Sequence, residues 1–209
     1  DFGIFAQRFD GDGRAVDGGF QVNQTVASSQ FDADVSGLSD GGWVIVWDDD
    51  TIQGIRLNRY DSTGALTQTE IQVETESSAS QFQPQVEGLG NGGYVVTWTS
   101  QTSGDAGDGD SNGVIAQLFN AAGARVGGEI IVNQQTDGPQ DTASVAALDS
   151  GRFVVVWEQN DTANGDGSGS SVFARIFNAA GVPEGGEFQV NSFANSNQEA
   201  PRVAVLADG

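Results

Sequence analysis

The sequence is one unit written four times, and that repetition limits the fold more than any other feature. "GIFAQRFDGDG" (3–13), "GIRLNRYDSTG" (54–64), "GVIAQLFNAAG" (113–123) and "SVFARIFNAAG" (171–181) are copies of one segment, a. Segment b follows as "GGFQVN" (18–23), "TEIQVE" (69–74), "GGEIIVN" (127–133) and "GGEFQVN" (185–191). Segment c is "QFDADVSGL" (30–38), "QFQPQVEGL" (81–89), "QDTASVAAL" (140–148) and "QEAPRVAVL" (198–206). Segment d is "GGWVIVW" (41–47), "GGYVVTW" (92–98) and "GRFVVVW" (151–157), and the fourth copy stops before reaching it. The repeats delimit units at 2–53, 54–112, 113–170 and 171–209 within a single repeat domain spanning 1–209.

Each segment is short, rich in Val, Ile, Phe and Trp, and bounded by Gly, Asp or Asn, with no sustained helical period. After segment a, Asp10, Asp61, Asn120 and Asn178 precede Gly13, Gly64, Gly123 and Gly181 by three residues. Asp or Asn accepts hydrogen bonds from the backbone ahead of it, and glycine takes the positive φ that closes such a turn. Between c and d, Asp40-Gly41 and Asn91-Gly92 are hairpin residues. Segment d is apolar on both faces and should be sandwiched between layers. Its closing Trp47, Trp98 and Trp157 read as core, against ligand-stacking aromatics. The prediction is an all-β chain of four-stranded antiparallel meanders, strands a to d, forming a β-propeller or an arc of a larger one. A β-solenoid or tandem β-sandwiches are the alternatives.

Composition removes whole classes of chemistry. Cys and His are absent and all 8 basic residues are Arg, against 29 acidic ones, for a net charge of −21. That excludes disulfides, thiolate or imidazole metal sites, the Ser-His-Asp triad and lysine Schiff bases. Such a charge repels nucleic acid and anionic lipid surfaces, and no apolar run is long enough for a spanning helix, so membrane insertion is not expected. With no Met and no leader-like segment, the sequence reads as a mature fragment or an internal piece of a longer protein.

The composite pattern, G-I-x-A-Q-R-F-D-x-x-G, then G-G-E-F-Q-V-N, then Q-x-x-P-x-V-A-x-L-x-D-G-G-F-V-V-V-W, resembles tandem repeats of very large secreted bacterial surface proteins. Those repeats often stand beside RTX (hemolysin-type) calcium-binding nonapeptides. The resemblance covers essentially the whole chain and is weakest in the second unit, where Glu74 replaces the Asn. It implies secretion to the cell surface or matrix, adhesion and calcium, without defining an activity. No full nonapeptide G-G-x-G-x-D-x-U-x occurs, so that motif's calcium chemistry does not carry over.

Calcium has a separate candidate in the long acidic loops between strands d and a. Asp108, Asp110 and Asn112, followed by Gly113, space three oxygens on alternate residues as calcium loops do, and Asn164, Asp166 and Ser168 repeat the pattern in diluted form. The EF-hand's closing Glu is missing, since Phe119 stands there. The loops resemble the short calcium loops of integrin-like propeller repeats instead. The competing reading is an ordinary Gly-Asp-Ser turn.

These observations favour a non-enzymatic, calcium-stabilised scaffold or adhesion domain of a secreted bacterial surface protein, with no catalytic residues. Its partners would be other chains of a surface assembly, or glycans. The alternative is a lectin-like propeller using Asn23, Asn133 and Asn191, which also read as strand-end caps. A third is a carboxylate-based hydrolase or lyase, for which the breaks in repeat symmetry are Gln68-Thr69 and Glu74.

Overall fold

A computed structural model describes residues 2–75, 79–101, 111–160, 169–193 and 196–206. The strands are β1 (Phe5–Phe9), β2 (Ala15–Gln21), β3 (Gln30–Gly37), β4 (Trp43–Asp49), β5 (Gly54–Tyr60), β6 (Leu66–Gln72) and β7 (Gln81–Gly88). They continue as β8 (Tyr94–Gln101), β9 (Asn112–Phe119), β10 (Arg125–Ile131), β11 (Gln140–Ala147), β12 (Phe153–Asn160), β13 (Ser170–Phe177) and β14 (Phe188–Gln189). Three antiparallel four-stranded sheets, β3-β4-β5-β6, β7-β8-β9-β10 and β11-β12-β13-β14, follow the two-stranded β1-β2. The first strands of the three large sheets, β3, β7 and β11, pack beside one another. This is the arrangement of propeller blades around an axis, as the repeats predict.

The sheets straddle the sequence repeats. Each takes strands c and d from one unit and a and b from the next, so the paired order is c-d-a-b. The meander is therefore present in shifted phase, because the b-to-c connection crosses between blades. That crossing is fastened by side chains. Asn23 Oδ1 accepts from Ile4 N at 2.8 Å, while Asn23 Nδ2 donates to Thr25 O and to Gln30 Oε1. Asn133 repeats this with Val114, Gln135 and Gln140, and Asn191 with Val172, Phe193 and Gln198. These asparagines are strand-end caps. In the second unit Glu74 Oε2 accepts from Ile55 N at 2.9 Å, but a carboxylate cannot donate. Gln81 Oε1 accordingly accepts from Trp98 Nε1 at 2.8 Å.

A second fastening runs between blades. Glu70 accepts from Gln24 N, Thr25 N and Thr25 Oγ1 of the preceding b-to-c connection. Glu129 does the same with Thr75 and Glu187 with Gln134. The innermost strands are joined edgewise: Asp34 Oδ2 accepts from Val86 N at 2.8 Å and Ser36 Oγ from Gly88 N at 2.9 Å. Side chains of one blade thus satisfy edge donors of the next, which would otherwise be open to foreign strands. Gly88 is required here, because a Cβ on it would lie 2.2 Å from Gly37 O.

The core lies between sheets. Trp47, Trp98 and Trp157 are fully buried, so the core reading of the tryptophans holds. Strands a and d share aromatic pairs: Trp43 stacks on Tyr60 at 3.8 Å, Tyr94 on Phe119 at 4.8 Å, and Phe153 on Phe177 at 5.0 Å. The turns after strand a also match: Asp10 Oδ1 accepts from Asp12 N and Arg14 N, and Gly13, Gly64, Gly123 and Gly181 have φ between 76° and 89°.

Candidate functional site on the propeller axis

The predicted loop residues divide by where they fall. Asp108, Asp110, Asn164, Asp166 and Ser168 lie outside the described residues. Asn112 opens β9, and its Nδ2 donates to Asp141 Oδ1 at 2.8 Å, tying the loop end to the next blade. Burial pushes the Asp141 carboxyl above its ordinary range, and the Asn112 bond partly offsets this. Among the described residues, no group of three or more acidic side chains is suited to hold a metal ion.

The axis offers a different site. Asp32, Ala33, Gln83, Gln85, Thr142, Ala143 and Arg202, drawn from all four c segments, line a cavity of about 270 Å³. Repeated β-bulges build it. Pairing to strand d slips between Phe31 and Asp34, Phe82 and Gln85, and Asp141 and Ser144. Inside each slip sits a non-glycine residue with positive φ: Asp32 (47°), Gln83 (55°) and Thr142 (54°), with Ala200 (51°) at the fourth copy. A bulge re-aims side chains that simple alternation would place elsewhere, and left-handed backbone is unfavourable for β-branched threonine above all. Three repetitions of such strain bring side chains of these positions to the axis.

The side chains at this ring differ from blade to blade (Asp, Gln, Thr, Ala) while the flanking Gln30, Gln81, Gln140 and Gln198 are constant. Variation inside a constant frame is the sequence signal that marks this ring, and it is weaker than the Asp-Gly spacing of the long loops. Beside Asp32 stands Asp48, half-buried on β4, with Thr99 and Glu158 as its counterparts after the blade tryptophans. Its carboxyl is pushed up to about 7, first by burial and then by the charges of Asp50, Asp32, Asp49 and Glu74. Asp49 is 1 % exposed and structurally engaged, accepting from Thr51 N at 2.9 Å and lying 3.5 Å from Arg56 Nε. The Glu74 carboxyl is also raised, chiefly by burial. An acid that holds its proton near neutrality beside a second carboxyl on an axial cavity has the makings of a proton donor.

No protein-family model matches the sequence, and no curated protein matches it. Solved structures do. An α-L-arabinofuranosidase from Lactobacillus brevis is similar at 13 % identity and a TM-score of 0.50, over 77 % of this chain and 53 % of that one. A thermostable family-43 glycoside hydrolase is similar at 12 % identity and a TM-score of 0.51, over 79 % and 55 % of the two chains. The chain spans about half the length of these structures, and what it shares with them is the fold. The finding corrects the expectation of a non-enzymatic scaffold or adhesin: the solved chains of matching arrangement are glycoside hydrolases, so the exclusion of enzymatic chemistry does not stand. Carboxylate chemistry needs no His, Cys or Lys, and the sequence reading ranked it last because Gln68-Thr69 and Glu74, the breaks in repeat symmetry, form no recognisable catalytic pair.

Proposed function

We propose that the chain is part of a carbohydrate-active β-propeller that holds a glycan at its axial face, with Asp48 as proton donor and Asp32 as its carboxylate partner. The observation that carries this reading is the Asp48 carboxyl, raised to about 7 next to an Asp32 that lines the axial cavity. Breaking a glycosidic bond requires a proton on the leaving oxygen, and an ordinary aspartic acid has lost its proton at neutral pH. Asp48 keeps it. A neighbouring carboxylate would stabilise the oxocarbenium-like transition state or activate water. Gln83, Gln85, Thr142 and Arg202 provide amide, hydroxyl and guanidinium donors suited to sugar hydroxyls. The likeness to an arabinofuranosidase supports pentose-containing glycans as the first class to try.

The test is calorimetric binding and reducing-end release with arabino- and xylo-oligosaccharides, using the wild-type chain, Asp48→Asn and Asp32→Asn. The expected result is binding of at least one glycan, with hydrolysis slowed by roughly 100-fold or more in Asp48→Asn and affinity kept within about threefold. Binding without hydrolysis in the wild type would reduce the reading to a lectin. No binding and no hydrolysis across the panel would reject it.

A further inference from the structure

Asparagine followed by glycine occurs three times, at 91–92, 112–113 and 164–165, and the last pair lies outside the described residues. Such a pair is open to attack from within, because glycine has no side chain to keep its backbone nitrogen from the asparagine amide carbon. The two described pairs are held very differently. Asn112 Nδ2 donates to Asp141 Oδ1 at 2.8 Å, and Gly113 is buried in the β8–β9 ladder opposite Ser100. Asn91 is exposed in the loop between β7 and β8. Its Oδ1 accepts from Gly93 N at 3.0 Å, and among the described residues nothing holds its Nδ2.

We propose that Asn91 is a self-modification site, at which the folded chain converts its own asparagine to isoaspartate and aspartate with water as the only co-reactant. Gly92 N gives up its proton and attacks Asn91 Cγ, forming a C–N bond that closes a succinimide ring. The Cγ–Nδ2 bond breaks, and the amide nitrogen leaves with the proton as ammonia. Water then adds to either ring carbonyl and the ring opens, leaving one carboxylate and one peptide bond, with nothing oxidised or reduced. The Gly93 N–H aimed at Oδ1 polarises the carbonyl under attack, as an oxyanion donor does. Gly92 N donates to Leu89 O at 3.0 Å, so the reaction passes through a local opening of the loop, and exposed loops open most readily. The product alters the hairpin. In the preceding sheet the same position is Asp40, whose Oδ2 accepts from Arg59 Nη2 at 2.5 Å. Leu118 stands in the place of Arg59, and Asn91, Leu118, Asn120 and Ala179 line a cavity of about 170 Å³. A carboxylate at 91 has room there, without the guanidinium that faces Asp40, and isoaspartate lengthens the loop by one backbone atom.

The test incubates the whole folded chain in mildly alkaline buffer and follows each Asn-Gly pair by peptide mass mapping, with isoaspartyl methyltransferase labelling to identify the isomer. The chain unfolded in guanidinium is the reference, where local sequence alone sets the rates. The expected result is amide loss at Asn91 roughly tenfold or more faster than at Asn112 in the folded chain, against rates within about threefold of each other in the unfolded one. Isoaspartate should exceed aspartate at position 91. Asn91→Gln, whose longer side chain closes the ring far more slowly, should lower loss of the amide at this position by roughly tenfold or more, and Asn91 is exposed, so the variant folds. Folded-state loss at Asn112 as fast as at Asn91, loss at Asn91 confined to the unfolded chain, or aspartate formed without isoaspartate would each overturn the proposal.

Discussion

Trp98→Ala is expected to destabilise the protein by about 4 kcal/mol, a fall in Tm of roughly 10 °C or more for a chain of this size. Trp98 is 0 % exposed and belongs to a cluster that joins two sheets, with Leu38, Val44 and Ile55 on one side and Val86, Tyr94 and Ile115 on the other. Truncation opens a cavity where the blades meet, and the rigid strands around it limit collapse. The substitution also leaves Gln81 Oε1 without the indole donor. A paired comparison separates the two losses. Trp98→Phe keeps most of the ring but orphans Gln81, whereas Trp47 Nε1 has no hydrogen-bond partner, so Trp47→Phe removes none. Denaturant melts should therefore place Trp98→Phe about 1 kcal/mol or more below Trp47→Phe. Equal losses in the two Phe variants would show that the Gln81 bond contributes little.

The second large effect is a dependence on pH that runs opposite to ordinary acid denaturation. Asp48 is raised from 3.8 to about 7, so the folded protein holds a proton that the unfolded chain releases. A group of this kind contributes stability that is complete below about pH 4 and is lost as the pH rises through about 7. Such a shift corresponds to a ceiling of about 4 kcal/mol, and partial exposure of Asp48 reduces the expected figure to about 1–2 kcal/mol. Glu74, Glu87 and Asp141, also raised chiefly by burial, act in the same direction. Wild-type protein should thus be more stable at pH 5 than at pH 8, and Asp48→Asn should remove most of the difference by stabilising the chain at pH 8. Repeating the melts in 0.5 M salt, well above physiological ionic strength, separates this local effect from repulsion within a chain of net charge −21, because salt screens distant charges far more than half-buried ones. An unchanged pH slope in Asp48→Asn would place the effect elsewhere.

The parts of this fold that the sequence made legible are those governed by local chemistry. Turns closed by Asp or Asn and Gly, such as Asp10 with Gly13, are short-range events, and they form where the spacing predicts. Strand d could be recognised as buried because residues 43–47 are apolar at both parities of the pleat. The blade boundary was not legible, since a periodic sequence has no intrinsic starting point and only pairing decides that c and d join the following a and b. The blade-to-blade fastening by Glu70, Glu129 and Glu187 was hidden for a related reason. Its donors lie more than 40 residues away in sequence. The axial site was the least legible part. Asp32, Gln83 and Thr142 reach it only because a bulge puts non-glycine residues at positive φ, which period-two alternation cannot encode. Asp48 falls just beyond segment d as the repeats delimit it (41–47), yet it is the last but one residue of β4, and its burial there alters its acidity.

The proposed glycan chemistry requires a protonated Asp48 beside Asp32 at the axis. The direct measurement is a carbon-13 NMR titration of the aspartate side-chain carboxyls in wild type and Asp32→Asn, with and without a bound oligosaccharide. The expected midpoint for Asp48 is about 7, falling when Asp32 loses its charge and moving again when the glycan occupies the axis. A midpoint near the ordinary 3.8, unmoved by Asp32→Asn and by the glycan, would contradict it.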